Sequence, residues 1–293
     1  MSKRLLPTKE DDFWTLALDE RLKNTQILPA GEGVDYFNAT TRSMLYNIPY
    51  GESMIVTLPL SDLPMIDGAW SPTGSQAWYA SALLSAILLQ ESDERIVGIL
   101  CRSESLSILE LGSGAVGLSG IVSNLLLSRR PGTHRVYLTD RDPNILKQLE
   151  QNVMQYNEHL RKHYPAIKEE HMEVQNLDWN DGSACSRLKD LDLVIGSELV
   201  YTLETAKGCA SCVQILLKNN PNAVVVIVQV KDRDGWSNIL VPTMLLCGYQ
   251  VSEESIPIGC DEIASTMMQH RGILDQSQFT ACFISTPRVI GSD

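Results

Sequence analysis

The stretch Ile108-Leu109-Glu110-Leu111-Gly112-Ser113-Gly114-Ala115-Val116-Gly117-Leu118-Ser119-Gly120 decides the fold. An apolar run, SLSILEL over 105–111, reads as a short buried strand, and a helical pattern occupies 117–129. Between them Gly112, Gly114 and Gly117 let a backbone turn sharply and pass close to a ligand. Taken alone, Gly112-x-Gly114-x-x-Gly117 also satisfies a dinucleotide-binding fingerprint or a plain strand-to-helix turn.

Working outward, the same alternation repeats. RVYLTD (135–140), HMEVQNLDW (171–179), LDLVIGSEL (191–199) and AVVVIVQV (223–230) read as further strands. Helical patterns fall at 143–159, with Pro143 at the first turn, at 203–218 and at 237–247, with Gly248 closing the last. YQVSEES (249–255) and FTACFIS (279–285) supply strands six and seven, separated by an insertion at 256–278. Continuous apolar strands alternating with helices predict an α/β fold: a Rossmann-like, seven-strand parallel sheet with helices on both faces.

Upstream, 76–90 (QAWYASALLSAILLQ) is apolar on most faces and predicts a buried helix, preceded by a Pro- and Ser-rich loop at 68–74. Segments 34–46 and 52–60, split by Pro49-Tyr50-Gly51, predict a small antiparallel β unit. Residues 1–35 read as a polar arm or helix outside the core. The expected division is an N-terminal extension over 1–67 and a main domain over 68–293.

The chain has 293 residues, 44% hydrophobic, enough for a real core. Its net charge is −12 with no basic run, which argues against direct binding of nucleic acid and suits, weakly, a basic protein surface. No apolar run reaches the length of a membrane span, and the start lacks the apolar core of a secretory signal. The expected address is cytoplasmic, with the nucleus as a second; a monomer is expected. Seven cysteines, an odd count, read as reduced thiols. Cys209-x-x-Cys212 has no second pair to complete a metal site, and His159 and His163 fall on a solvated helix face, so no metal is expected.

The ends of the strands carry the chemistry. Asp140 offers a carboxylate to ribose hydroxyls, a feature that nicotinamide enzymes and methyltransferases share. Glu110 suits the cationic methionine end of a sulfonium cofactor and fits badly beside a pyrophosphate. Asp178 and Trp179 offer a polar group and an aromatic face for adenine. Ser197, Glu198 and Tyr201 follow strand four at the mouth of the crevice. In sheet order these residues point to S-adenosyl-L-methionine as the cofactor and to methyl transfer as the reaction.

ELGSGAVGLSG (110–120), YLTD (137–140), LDW (177–179) and SELVY (197–201) together resemble the small seven-strand protein-lysine methyltransferases. That group includes the calmodulin-lysine and valosin-containing-protein-lysine enzymes. Trp78-Tyr79-Ala80-Ser81 is similar to the group's Trp-containing segment, which packs against the cofactor. The resemblance covers 68–255 and implies cofactor binding by Trp78, Glu110, Gly112, Gly114, Gly117, Asp140, Asp178, Trp179 and Ser197. It implies that Glu198 and Tyr201 act on a lysine of a protein substrate. The group usually has Asp-x-x-Tyr or Asp-x-x-Phe where this chain has Glu198-Leu-Val-Tyr201, and Glu occurs there in a protein-histidine branch. Protein-histidine or small-molecule methylation, or a catalytically silent cofactor-binding interaction protein, therefore stay open at this level.

Overall fold

The computed structural model describes residues 42–51, 54–62, 74–101, 105–168, 171–231, 233–268 and 275–287. The arm at 1–35, most of the loop at 68–74 and part of the insertion at 256–278 lie outside them. Strands β1 (Arg42–Tyr50) and β2 (Met54–Asp62) form an antiparallel pair in which Tyr50 faces Met54. The expected boundaries are displaced: Pro49 and Tyr50 are strand residues, and the turn begins at Gly51. Proline is tolerated there because a two-stranded ribbon leaves one set of N–H positions unpaired.

Helices α1 (Tyr79–Gln90) and α2 (Glu94–Leu100) lead into the main sheet. Its strands are β3 (Ser107–Leu111), β4 (Arg135–Asp140), β5 (His171–Asn176), β6 (Leu193–Ser197), β7 (Val224–Val230), β8 (Gln250–Ser255) and β9 (Phe279–Ser285). The strand order is β5-β4-β3-β6-β7-β9-β8. Between strands lie α3 (Leu118–Leu127), α4 (Pro143–His163), α5 (Gly182–Arg187), α6 (Leu203–Asn219), a π-turn at Trp236–Leu240, α7 (Val241–Leu246) and α8 (Cys260–Met267). α4 runs one turn beyond its expected end, with Arg161, Lys162 and His163 in its last turn, where cations suit the helix dipole.

The sheet is mixed rather than wholly parallel. β9 enters between β7 and β8 and runs antiparallel to both. An antiparallel neighbour needs no helical crossover, so the β8–β9 connection is free to carry α8, which packs on α1 and β1. β9 is buried at six of seven positions, so its sequence reads like any doubly covered strand, whatever its direction.

Alternation along the strands divides the core into two layers. Val226 and Val228 face one, with Leu83 of α1, Ile121 of α3 and Tyr46 and Leu58 of the hairpin. Val225 and Ile227 face the other, with Val213 of α6 and Trp236. The hairpin is tied in further by Asn152 of α4, which is fully buried. Its side chain accepts from Ser61 N–H (2.8 Å) and donates to the carbonyls of Ser61 (2.9 Å) and Ala115 (2.7 Å). One amide thus joins β2, α4 and the turn after β3.

Candidate active site

The carboxyl ends of β3, β4, β5 and β6 open on a cleft of about 440 Å³, within the usual range for a small-molecule site. On its β3–β4 side the backbone does the shaping. Gly112 has φ +61°, and a Cβ there would lie 3.0 Å from Leu199 and 3.3 Å from the ring of Trp179. Gly114 has φ +64°, and its Cβ would come within 2.7 Å of the Gly74 carbonyl oxygen. That carbonyl also accepts from Ala115 N–H at 2.7 Å. Gly114 is therefore required by a backbone clasp between the glycine turn and the segment before α1, and not by a ligand filling the Cβ volume. Gly117 serves packing: a Cβ would meet Leu149 of α4 at 2.5 Å.

Asp140, at the end of β4, is the hub of this wall. One carboxylate oxygen accepts from the N–H groups of Arg141 (2.7 Å) and Asp142 (3.1 Å), and the other from Gly114 N–H (3.2 Å). About four acceptor positions exist on a carboxylate, so about one stays open toward the cleft. Accepting both hydroxyls of a ribose would require the Gly114 bond to be shared. Burial pushes the Asp140 carboxyl up, and the three N–H groups oppose the shift.

Glu110 is placed differently from the expectation. It is buried beneath the glycine turn, where it accepts from Gly120 N–H in the first turn of α3 (3.1 Å), and it does not line the cleft. Burial raises its carboxyl to about 7 against opposing hydrogen bonds from Ser113, Gly120 and Ser119.

The remaining expected residues meet at the cleft: Trp78, Asp178, Trp179, Ser197, Glu198 and Tyr201 all line it. Asp178 is braced by Asn180, through its backbone N–H (2.9 Å) and its side-chain amide (3.1 Å). Glu198 adopts φ +52°, left-handed for a residue with a Cβ. Its carboxylate accepts from Val230 N–H (2.6 Å) and from the Arg233 guanidinium (2.9 Å). Burial pushes the Glu198 carboxyl up, while Val230 and Arg233 pull it down. Both oxygens of the carboxylate expected to dock a substrate cation are thus already engaged.

Sequence reasoning missed several lining residues. Gly74, Arg141, Asp142 and Asn180 adjoin recognisable motifs, Thr202 caps α6, and Glu204 and Gly208 come from its first turns. Arg233 touches Glu198 without being a motif residue; the available signal was the charged run Lys231 to Asp234 after β7, at the sheet edge where ligands bind. Five lining residues are acids (Asp140, Asp142, Asp178, Glu198, Glu204) and one, Arg141, is a base. That balance suits a cationic ligand.

All seven cysteines are free. Cys212 lies 3.3 Å from Cys185 of α5, and burial drives the Cys209 thiol up to about 12. Among the described residues no group of His, Cys, Asp and Glu is arranged to hold a metal ion, and no helix is long and apolar enough to cross a membrane.

Residues 62–240 match the family model described as lysine methyltransferase. This chain belongs to the lysine methyltransferase family. Within 151 residues it is 27% identical to the protein-lysine N-methyltransferase EFM3 of Saccharomyces cerevisiae, covering 50% of this chain and 41% of that protein. An uncharacterized Dictyostelium discoideum protein is 28% identical over 178 residues, 55% of this chain and 46% of its own length. The matches span less than half the length of either relative. Among solved structures, a Listeria monocytogenes protein assigned to the class I S-adenosylmethionine-dependent methyltransferases aligns with a TM-score of 0.48 at 12% identity, covering 77% of this chain and 65% of that one. The rRNA methyltransferase aviRa of Streptomyces viridochromogenes aligns at 0.46 and 15%, covering 73% and 87%.

The cofactor of this methyltransferase family is S-adenosylmethionine, and the cleft fits it. Asp140 and Trp179, which would hold its ribose and adenine, both line the cleft, and the acid-rich lining suits a sulfonium.

Proposed function

We propose that the chain is a protein-lysine N-methyltransferase, its substrate lysine entering the cleft between Trp78 and Tyr201. The observation that carries this reading is the meeting, in one cleft, of Asp140 and Trp179 with Glu198 and Tyr201. When bound, S-adenosylmethionine supplies a methyl group on a positively charged sulfur, which leaves as a neutral thioether and needs no acid. The residues then have two tasks. Trp78 and Tyr201 line a channel that aligns the amine with the methyl, and alignment of this kind is worth several orders of magnitude in rate. The mouth must also favour the neutral amine of a group that titrates near 10.4 in water; Trp78 and Tyr201 are exposed in the chain alone, and a substrate packed over them would withdraw the amine from water and so favour that form. The proton goes to solvent.

The test is incubation of the pure protein with a cell lysate and isotope-labelled cofactor, followed by mass spectrometry of labelled peptides. Methyl-lysine in a discrete protein is the expected product. Label on histidine, or only in small molecules, would replace the lysine assignment. Bound cofactor with no transfer at all would leave a cofactor-binding interaction protein.

A further inference from the structure

The first residues after β6 are held chiefly from β7 and the segment after it. Glu198 N–H donates to the Val228 carbonyl (2.9 Å), and Val200 N–H donates to the side-chain oxygen of buried Gln229 (3.2 Å). Val230 N–H and Arg233 hold the two oxygens of Glu198. Two residues beyond Arg233, a Cβ at Gly235 would come within 2.7 Å of the Thr202 carbonyl, so the two segments lie backbone against backbone. The arrangement is a cradle for residues 198–202, and the turn carries the left-handed φ of Glu198. Such a conformation is held only where neighbours over-determine it. Three of the holding groups are backbone or buried. The fourth, the Arg233 side chain, is 40% exposed, whereas that of Glu198 is 12% exposed.

We infer that Arg233 is a positioning residue for methyl transfer: it clamps the Glu198 carboxylate to the end of β7 and so fixes the turn that carries Tyr201 to the cleft. The inference rests on the methyltransferase reading above. It also assigns a charge role. A bare carboxylate beside the channel would hold a lysine as its ammonium, the form that cannot attack. Paired with Arg233, it presents no net charge to the incoming amine. The other charges around Glu198 do not duplicate this pairing. Of the other charged residues that line the cleft, Asp140, Asp142, Asp178 and Glu204 are acids and Arg141 is a base, whose backbone N–H donates to Asp140, while Lys231 turns away to the Ser277 carbonyl at 2.8 Å. Losing Arg233 removes the cation that opposes the effect of burial on Glu198, so its protonation moves to higher pH.

The experiment compares wild type, Arg233→Met and Arg233→Lys on three readouts. Calorimetry with S-adenosylhomocysteine reads the cofactor side, and affinities within about twofold of one another are expected. Transfer of label from cofactor to lysate protein reads the reaction. Arg233→Met should be slower by about tenfold or more at pH 7, with the acid limb of its rate profile moved to higher pH, and Arg233→Lys should recover most of the loss. Carbon NMR of labelled glutamate, with Glu198 assigned from a Glu198→Gln sample, should titrate higher in Arg233→Met. An Arg233→Met protein that transfers at the wild-type rate with an unmoved profile overturns the proposal. So does an unmoved Glu198 resonance, even if wild type transfers nothing. Wild type that binds S-adenosylhomocysteine and labels nothing overturns the methyltransferase reading instead.

Discussion

On the β3–β4 side of the cleft the glycine turn shapes the wall through its main chain, whereas on the β6–β7 side the side chains of Glu198, Gln229 and Arg233 join the backbone of β7 in holding the exit of β6. In the first wall Gly112, Gly114 and Asp140 fall within one strand-turn-helix-strand unit, clasped to Gly74, and their contacts are largely backbone N–H bonds. The second is assembled across more than thirty residues, by pairs such as Glu198 with Arg233. A wall of backbone tolerates little change in shape. A wall of side chains can be altered in charge while its shape survives. Cofactor affinity should therefore follow the first wall, and transfer rate the second.

The sharpest way to break that division is Gly114→Val. The branched side chain meets both a positive φ and the Gly74 carbonyl. Binding of S-adenosylhomocysteine, read by calorimetry, should fall by about 100-fold or more, ~2.7 kcal/mol, with a lower melting temperature as the clasp opens. Normal affinity would detach the clasp from the cofactor side. Next in size is Asp140→Ala, which should weaken the same ligand by ~1.5–3 kcal/mol, the range for a hydrogen bond to a charged group. An unchanged constant would mean that Asp140 serves only to hold the turn. Glu198→Gln keeps an oxygen for Val230 N–H but loses the ion pair, so transfer should slow by about tenfold at unchanged cofactor affinity. A parallel fall in affinity would merge the two walls into one unit.

The smallest effect concerns Glu110, which separates ligand contact from support. Folded, it titrates at about 7 instead of the ordinary 4.5. Between those values the folded chain retains a proton that the unfolded chain has released, so stability declines as pH rises through this window. Glu110→Gln should flatten the decline, measured as urea midpoints at pH 5 and pH 7. A slope as steep as in wild type would show that the Glu110 carboxyl does not titrate in this window.

What could be read in the sequence follows the same line. The strand ends and the glycine turn were legible because apolar runs, glycines and acids recur at short, regular spacing. Asp178, Trp179, Glu198 and Tyr201 were placed at the crevice by sheet order alone. Glu110 was assigned to the ligand because a strand-end acid looks the same whether it points out at the cleft or back under the turn. Only packing against Gly120 decides between them. Arg233 was invisible for a related reason: an arginine in a charged run resembles any solvated surface residue until its partner is known. The direction of β9 was hidden too, since burial on both faces erases the alternation that marks an antiparallel strand.

The insertion of β9 between β7 and β8 bears on how the protein is made. β7, VVVIVQV, lies inside the finished sheet, yet one of its edges is completed by a strand synthesised after β8. At common rates of 5–20 residues per second, the roughly 50 residues from Val230 to Phe279 take ~2.5–10 s to emerge. During that interval the most β-prone segment of the chain has a bare edge, the form of surface that recruits other strands. The nascent polypeptide therefore passes through a sticky stage late in translation, and a ribosome stalled between β8 and β9 would present that edge to chaperones or to its neighbours on the same message.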